Sequence, residues 1–165
     1  LLQSEKYALL GDTYHKLGND PESDKFYDLA LKINPDYIIV LNNYSYYLSL
    51  RGGQKNLLKA EEMIVKCLSL TEDNPQPSFL DTYAWVLFQQ GRESTERSLQ
   101  LEKYNLSRKI MNLCFENGGE SAVMYDHYGD ILFELNDLVG AKKQWQEAFK
   151  KDPQNKKLQK KINKL

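Results

Sequence analysis

The chain has 165 residues, enough for one domain with a hydrophobic core. Hydrophobic residues make up 41% of it and charged residues 27%, as in soluble globular proteins, and the low content of glycine and proline favours helices. The formal net charge of -1 gives no sign of a general affinity for nucleic acid or anionic membranes. No apolar run approaches the roughly 18 residues that a membrane span needs.

The first predicted helix pair covers residues 4–37. Its first helix places apolar and small side chains on one face, at spacings of three and four residues: Tyr7, Leu10, Gly11 and Tyr14. In the turn that follows, Asp20 is the expected N-cap and Pro21 the first helical residue. The second helix carries a small, a large and a small residue before a closing proline: Ser23, Tyr27, Ala30 and Pro35.

The second predicted pair covers residues 38–76 and follows the same order with a longer connection. Its first helix is marked by Leu41, Tyr44, Ser45 and Leu48. Its second helix is marked by Ala60, Ile64 and Cys67, and Pro75 comes late. Residues 51–56 are expected to form an extended turn.

The third predicted pair covers residues 77–121 and contains an insertion. Its first helix carries Leu80, Tyr83, Ala84 and Leu87, and Gly91 is expected to end it. Its second helix fits Ser107, Met111 and Cys114 only if the extra segment Arg92 to Lys103 intervenes; Gly118-Gly119 replaces the closing proline. Because about eleven residues are close to three helical turns, a helical extension keeps the apolar face and is preferred. A mobile polar loop stays the alternative.

The fourth predicted pair covers residues 122–155 and has the clearest pattern. Its first helix carries Tyr125, Tyr128, Gly129 and Leu132 and breaks at Asn136-Asp137. Its second helix carries Ala141, Trp145 and Ala148 before Pro153. Residues 156–165 place Leu158, Ile162 and Leu165 between lysines, which predicts a final helix with a polar outer face that covers the last pair.

This recurring order resembles the tetratricopeptide repeat, a helix–turn–helix unit of about 34 residues. The resemblance implies an all-α, right-handed superhelical solenoid of four repeats plus a C-terminal capping helix, in one domain over residues 1–165. Residues 79–92 resemble the repeats of bacterial members, those of the Bacteroidetes among them, many of which are periplasmic or lipid-anchored. Since the chain starts at Leu1 without Met, we expect a piece of a longer chain or a mature form. Its location would be the cell envelope if an upstream segment carries a signal, and the cytoplasm otherwise.

No pattern of residues indicates catalysis. His15 and His127 have no His or Cys three or four residues away that would complete a metal pair. Cys67 and Cys114 stand where other repeats have alanine, so buried, unreactive side chains are expected rather than a disulfide or a reactive thiol. Nucleophile, phosphate-binding and dinucleotide motifs are absent from the sequence. We therefore predict a protein that is not an enzyme and needs no cofactor or metal.

The resemblance places the binding surface on the first helices, whose concave side holds peptides or partner helices in this family. By position, the groove candidates are Asp12, His15, Lys16, Asn42, Asn43, Tyr46, Asp81, Trp85, Gln89, Asp126, His127, Asp130 and Glu134. Tyr46 and Trp85 lie outside the signature positions, so exposed aromatic anchors for a peptide are expected there. The carboxylates at Asp81, Asp126, Asp130 and Glu134 suggest a basic partner. The alternative is a solvated helix face without a binding role.

Two further features of the sequence bear on the binding of anionic groups. The family's carboxylate clamp for chaperone C-termini is not expected, because only Asn43 fits among the matching residues Ala8, Asp12, Asn43, Ser78 and Thr82. The C-terminal region is basic through Lys150, Lys151, Lys156, Lys157, Lys160, Lys161 and Lys164. We expect a solvated face there, with a weak patch for an anionic partner as the alternative.

The sequence therefore predicts a non-catalytic scaffold that binds a peptide or partner segment, of another protein or of its own chain, in the concave groove. The alternative is a structural role, in which the chain forms the end of a longer repeat array used for self-association or assembly, for example in an envelope complex. Nucleic-acid binding is disfavoured, since the neutral charge and acidic groove offer no basic track for phosphates.

Overall fold

A computed structural model describes residues 2–165, and these residues form nine α-helices and no strand. The helices are α1 (Gln3–Lys16), α2 (Asp20–Ile33), α3 (Ile38–Arg51), α4 (Gln54–Ser69), α5 (Pro77–Glu93), α6 (Arg97–Glu116), α7 (Ala122–Glu134), α8 (Leu138–Lys151) and α9 (Lys156–Lys164). The all-α fold of four helix pairs and a final helix is as predicted. No helix within the described residues is both long and apolar enough to cross a bilayer.

The chain divides into two compact units. The N-terminal unit, Leu1–Asn74, holds α1 to α4, and the C-terminal unit, Pro75–Leu165, holds α5 to α9. Each unit therefore contains two helix pairs. The assignment of the whole chain to one domain stays a prediction.

Each helix pair packs a large side chain of its second helix against a small residue of its first. A Cβ atom on Gly11 would lie 2.7 Å from the Tyr27 ring, so only glycine leaves room for that ring. Gly129 gives the same room to Trp145. At the equivalent positions of the second and third pairs, the small residues are Ser45 and Ala84, and the large residues are the slimmer Ile64 and Met111, both buried. The signature predicted from the sequence is thus a match of volumes across each hairpin.

Buried serines tie the same crossings with hydrogen bonds. The hydroxyl of Ser23 donates to the Gly11 carbonyl at 2.9 Å, and that of Ser107 donates to the Ala84 carbonyl at 2.6 Å. In the second pair the direction is reversed, because Ser45 lies on the first helix and donates to the Ala60 carbonyl at 2.8 Å. A serine at a helix crossing is small enough for close packing, and its buried hydroxyl has a hydrogen-bond partner on the other helix.

Two predicted turns differ in detail. The N-cap of α2 is Asn19, whose side chain accepts from the Glu22 amide at 3.3 Å, and Asp20 is already helical. The predicted long turn over residues 51–56 is reduced to Gly52 and Gly53, with φ of 67° and 83°. Two left-handed glycines reverse the chain at once, so the extra residues lengthen the helices instead of the connection.

The third pair is extended, as preferred. α6 begins at Arg97 and has 20 residues, and only residues 94–96 connect it to α5. The prediction that Gly91 ends α5 was wrong, because the helix continues to Glu93. Gly91 is instead a packing residue: a Cβ there would lie 2.6 Å from the ring of Tyr104. Gly91 follows Ala84 by seven residues and Tyr104 precedes Met111 by seven, so the extension repeats the small–large contact two turns further out.

In the N-terminal unit, ion pairs join successive helix pairs. Arg51 donates to both carboxylate oxygens of Asp24, at 3.0 and 2.6 Å. Lys59 pairs with Asp28 at 2.8 Å, further along α2. Because these partners are 27 and 31 residues apart, the contacts hold α2 against α3 and α4.

Candidate functional site

In the N-terminal unit, the predicted groove residues of α1 and α3 bond to one another. The Asp12 carboxylate accepts from the Tyr27 hydroxyl and from the Asn43 amide, the latter at 3.3 Å. Asn42 in turn donates to the Asn43 side-chain oxygen at 3.2 Å. The side-chain oxygen of Asn42 is buried without a hydrogen-bond donor among the described residues. Asp12 and Asn43 thus hold adjacent repeats together, and Asn42 keeps acceptor capacity.

Aromatic side chains border this network. The His15 ring stacks on the Tyr47 ring at a centroid distance of 3.5 Å, and Tyr46 lies beside Tyr47 at 6.0 Å. Tyr46 is half-buried and Lys16 is exposed. Tyr46 is therefore a partly accessible aromatic of the kind expected, although its ring already contacts its own helix.

In the C-terminal unit, three predicted groove residues form a buried cluster. His127 Nδ1 lies 2.9 Å from Asp81 Oδ1, and the His127 ring stacks on Trp85 at 3.9 Å. Trp85 is only 7% exposed and His127 only 6%. The expectation of an exposed aromatic at Trp85 was therefore wrong, because α7 packs over it and its indole and the imidazole cover each other.

The acidic residues of α7 are also occupied by the chain itself. The Lys161 ammonium of α9 donates to Asp126 Oδ1 at 2.7 Å and to Asp130 Oδ1 at 2.6 Å. The same ammonium lies 5.6 Å from the Trp145 ring centroid, and the Trp145 indole donates to Asp130 at 3.1 Å. Part of the acidic surface that suggested a basic partner is thus neutralised by α9.

These contacts share one geometry. In the first and fourth pairs, an aspartate directly follows the small glycine, as Asp12 follows Gly11 and Asp130 follows Gly129. Asp12 accepts from Tyr27 of its own pair and from Asn43 of α3. Asp130 accepts from Trp145 of its own pair and from Lys161 of α9. Side chains of the first helices α1 and α7 therefore bond to the helix that follows their own pair.

A pocket of about 210 Å³ opens beside this contact. Its lining combines an aromatic floor with charges of both signs: Phe88, Arg92, Asp130, Phe133, Glu134, Trp145, Lys161 and Lys164. Burial raises the pKa of the Asp130 carboxyl above its usual range, and the Lys161 ammonium opposes that shift. Lys164 lies 5.0 Å from the Phe133 ring centroid. The pocket can receive a side chain that has both apolar and charged parts.

Comparisons with known proteins agree with this architecture. The family model of the tetratricopeptide repeat matches residues 6–37. The crystal structure of TTC0263, a tetratricopeptide repeat protein of Thermus thermophilus, superimposes with a TM-score of 0.83 at 13% identity, covering 96% of this chain and 79% of that one. Residues 6–37 therefore match the tetratricopeptide repeat, and the chain has the fold of a tetratricopeptide repeat protein.

Other similar proteins share the repeat fold at low identity. PilF of Pseudomonas aeruginosa superimposes with a TM-score of 0.66 at 17% identity, over 89% of this chain and 60% of that one. In sequence, the uncharacterised protein ycf37 of Pyropia yezoensis is 37% identical over 68 residues. That match covers 41% of this chain and 36% of the relative, so it spans little more than a third of the relative's length.

Among the other predicted groove residues, Lys16 is exposed, and the partly buried ones are Asn42, Tyr46, Gln89 and Glu134. The sequence did not single out Arg92, Phe133 and Lys161, which line the pocket of about 210 Å³. Lys161 was assigned to a solvated lysine stretch, where nothing distinguished it from its neighbours. Its position 31 residues after Asp130, like that of Asn43 after Asp12, is the signal that could have identified it.

The cysteines are placed as expected. Cys67 and Cys114 are fully buried free thiols, and their Sγ atoms donate to the carbonyls of Ile38 and Pro77. Burial raises the pKa of Cys67 to about 11 and that of Cys114 to about 12. Within residues 2–165, no group of three His, Cys, Asp or Glu side chains could hold a metal ion.

Proposed function

We propose that this tetratricopeptide repeat protein is a non-catalytic scaffold that binds a segment of another protein on its first-helix surfaces. Proteins of the tetratricopeptide repeat family are in general scaffolds for protein–protein interaction. The observation that carries the proposal is the pocket beside α7, whose lining combines the charged residues Glu134 and Arg92 with the aromatic residues Phe88 and Phe133. A pocket with an apolar floor and a few convergent charges is the usual form of a recognition site.

The accessible side chains suggest how a partner segment is held. Tyr46 offers a partly accessible aromatic surface. Glu134 supplies a carboxylate for a lysine or arginine. These groups lie on helices, so little conformational entropy is lost when a partner binds. The preference for a basic partner is part of the proposal.

Capture of partner proteins from native extract tests this function. Wild type is compared with Tyr46→Ser and Glu134→Lys, and with Glu116→Lys as a control that places the same charge change on an exposed residue of α6. We expect a defined protein that is retained by wild type and Glu116→Lys but lost from both groove variants. Equal retention by all four proteins, at equal folded fraction, would overturn the proposed surface.

A second candidate, self-association through α1, is favoured by exposed leucines. Leu9 is 58% exposed and Leu17 is 72% exposed. Leu9 stands two residues before its small glycine, as His127 does in the fourth repeat, yet His127 is buried against α5 while Leu9 is largely exposed. An uncovered stacking face of this kind suits a second copy or another repeat.

Sedimentation velocity over a wide concentration range tests this second candidate. The association hypothesis predicts a mass that rises with concentration for wild type and stays monomeric for Leu9→Lys/Leu17→Lys. Leu58→Lys is a matched control, since Leu58 is also 58% exposed but lies on α4. A monomer at all concentrations would reject self-association through α1.

A further inference from the structure

The contact between α9 and α7 has the chemistry of a recognition site for an organic cation. The Lys161 ammonium is held by two carboxylates at 2.7 and 2.6 Å and faces an indole ring at 5.6 Å. We infer that Asp126, Asp130 and Trp145 form a binding site for a lysine or arginine side chain, which α9 fills with Lys161 in the free chain. The inference rests on the proposed function for the origin of the competing cation, namely a basic segment of the partner.

The site is built rather than incidental. Side chains of Asp126, Asp130 and Lys161 are only 29%, 23% and 30% exposed, whereas the ordinary surface pair of Lys25 and Glu22 is 56% and 36% exposed. The Trp145 indole donates to Asp130 and fixes its carboxylate, while its ring provides the face that a cation prefers. Charge-assisted hydrogen bonds at these distances are among the stronger polar contacts in proteins.

The equivalent site in the N-terminal unit shows that a cation is not needed to join repeats. There, Asp12 accepts from Tyr27 as Asp130 does from Trp145, but the residue from the next helix is the neutral Asn43. The C-terminal unit therefore has more charged groups at this contact, two carboxylates and an ammonium, than are needed to join one repeat to the next. A second carboxylate, Asp126, is the added element, and it makes the site selective for positive charge.

The occupant is suited to exchange. α9 has nine residues, a length at which an isolated helix is marginal in water, and its single buried residue is Leu158. Lys161 can leave by rotation of its long side chain while Leu158 stays in the core. The adjacent pocket is lined by Asp130, Glu134 and Lys161, so a lysine or arginine that enters it meets the carboxylate of Asp130.

Small cations test the site directly in the full chain. n-Butylammonium and n-butylguanidinium serve as probes, with 1-butanol as the neutral control, and the indole N–H signal of Trp145 in a ¹⁵N correlation spectrum is the readout. The variants are Lys161→Met, which keeps the unbranched stem, and Lys160→Met, an exposed lysine of the same helix. We expect both cations to bind Lys161→Met at least tenfold more tightly than wild type or Lys160→Met, with no effect of 1-butanol.

Two results would overturn the inference: equal apparent affinity in wild type and Lys161→Met, or no saturable shift in a folded Lys161→Met. If that variant does not fold, wild type decides, because excess n-butylguanidinium should move both the Trp145 indole signal and the Lys161 ammonium signal. Unchanged signals would then reject the site. If the cations bind but no partner protein depends on the groove residues, the cation site is supported and the proposed function is rejected. If a partner protein depends on the groove residues but binds Lys161→Met and wild type equally, the proposed function is supported and the cation site is rejected.

Discussion

At the scale of single residues, the volume match across each hairpin is the strictest requirement of this chain. Tyr27 and Trp145 pack against glycines, whereas at the equivalent positions of the second pair the smaller Ile64 is matched with Ser45. The identity of the small residue is therefore set by the shape of the residue opposite. Packing at this density leaves no space for an added methyl group unless the partner shrinks.

Gly91→Ala tests this match in the inserted segment. The new Cβ would lie 2.6 Å from the Tyr104 ring, so overpacking costs about 1–3 kcal/mol, partly offset by the gain of up to about 1 kcal/mol from replacing a helical glycine. We expect a net loss in the free energy of unfolding, measured by urea denaturation. Gly91→Ala/Tyr104→Met copies the neighbouring Ala84–Met111 contact and should recover most of it. An unchanged or higher stability for Gly91→Ala alone would contradict the packing role.

At the scale of elements, the extended α5–α6 hairpin is the feature that sequence periodicity left open. Residues 97–103 belong to α6, and Gln100 donates from its side chain to the Ser94 carbonyl at 2.7 Å, which closes the connection. Packing of Tyr104 on Gly91 decides the matter in favour of a helix. The polar composition of residues 93–98 could not show this, because it suits an exposed helix start as well as a loop.

Amide hydrogen exchange tests the order of this segment. We expect the amides of residues 101–104 to be protected at least about 100-fold relative to an unfolded peptide, since their exchange requires local opening of α6. Amides of Thr95 and Glu96, in the connection, should exchange rapidly and provide an internal reference. Rapid exchange throughout residues 97–103 would support the mobile loop instead.

The bidentate pair of Arg51 and Asp24 is a charge-assisted contact between α2 and α3. A double-mutant cycle with Arg51→Met and Asp24→Asn should give a coupling energy of about 1–3 kcal/mol in unfolding experiments, because both groups are largely sheltered from water. The exposed pair of Lys25 and Glu22, studied by the same cycle, should give at most about 0.5 kcal/mol. Equal coupling for the two pairs would show that shelter and bidentate geometry add nothing.

At the scale of the whole molecule, buried thiols and phenols in both units link stability to alkaline pH. The thiol pKa rises from 9.0 to about 11 in Cys67 and to about 12 in Cys114 on burial. Burial and nearby carboxylates also raise the pKa of Tyr27 and Tyr44. Above pH 9 the unfolded chain therefore releases protons that the folded chain retains, so stability falls as pH rises.

Replacing both cysteines with alanine tests this linkage. Alanine already stands at the equivalent residues Ala30 and Ala148, so the variant should fold. We expect the free energy of unfolding of Cys67→Ala/Cys114→Ala to decline less steeply than that of wild type between about pH 8.5 and about pH 10.5. Each protein is referred to its own stability at neutral pH, since loss of the buried sulfurs lowers the baseline. Parallel pH profiles would show that the thiols contribute nothing.

The sequence by itself determined the helix pairs, their register and the small–large contacts within them, because those contacts join residues of one hairpin and recur with a fixed spacing. It did not determine the bonding partners of the polar side chains on the first helices. Asn43 reaches Asp12 across 31 residues, His127 reaches Asp81 across 46, and Lys161 reaches Asp130 across 31. Only the stacking of one pair on the next brings these side chains within bonding distance. The sequence pattern of a polar residue on a helix face is the same whether its partner is water, a foreign peptide or the adjacent repeat. The burial of Trp85 and the contact of Lys161 with the carboxylates of α7 are therefore seen only in the tertiary structure.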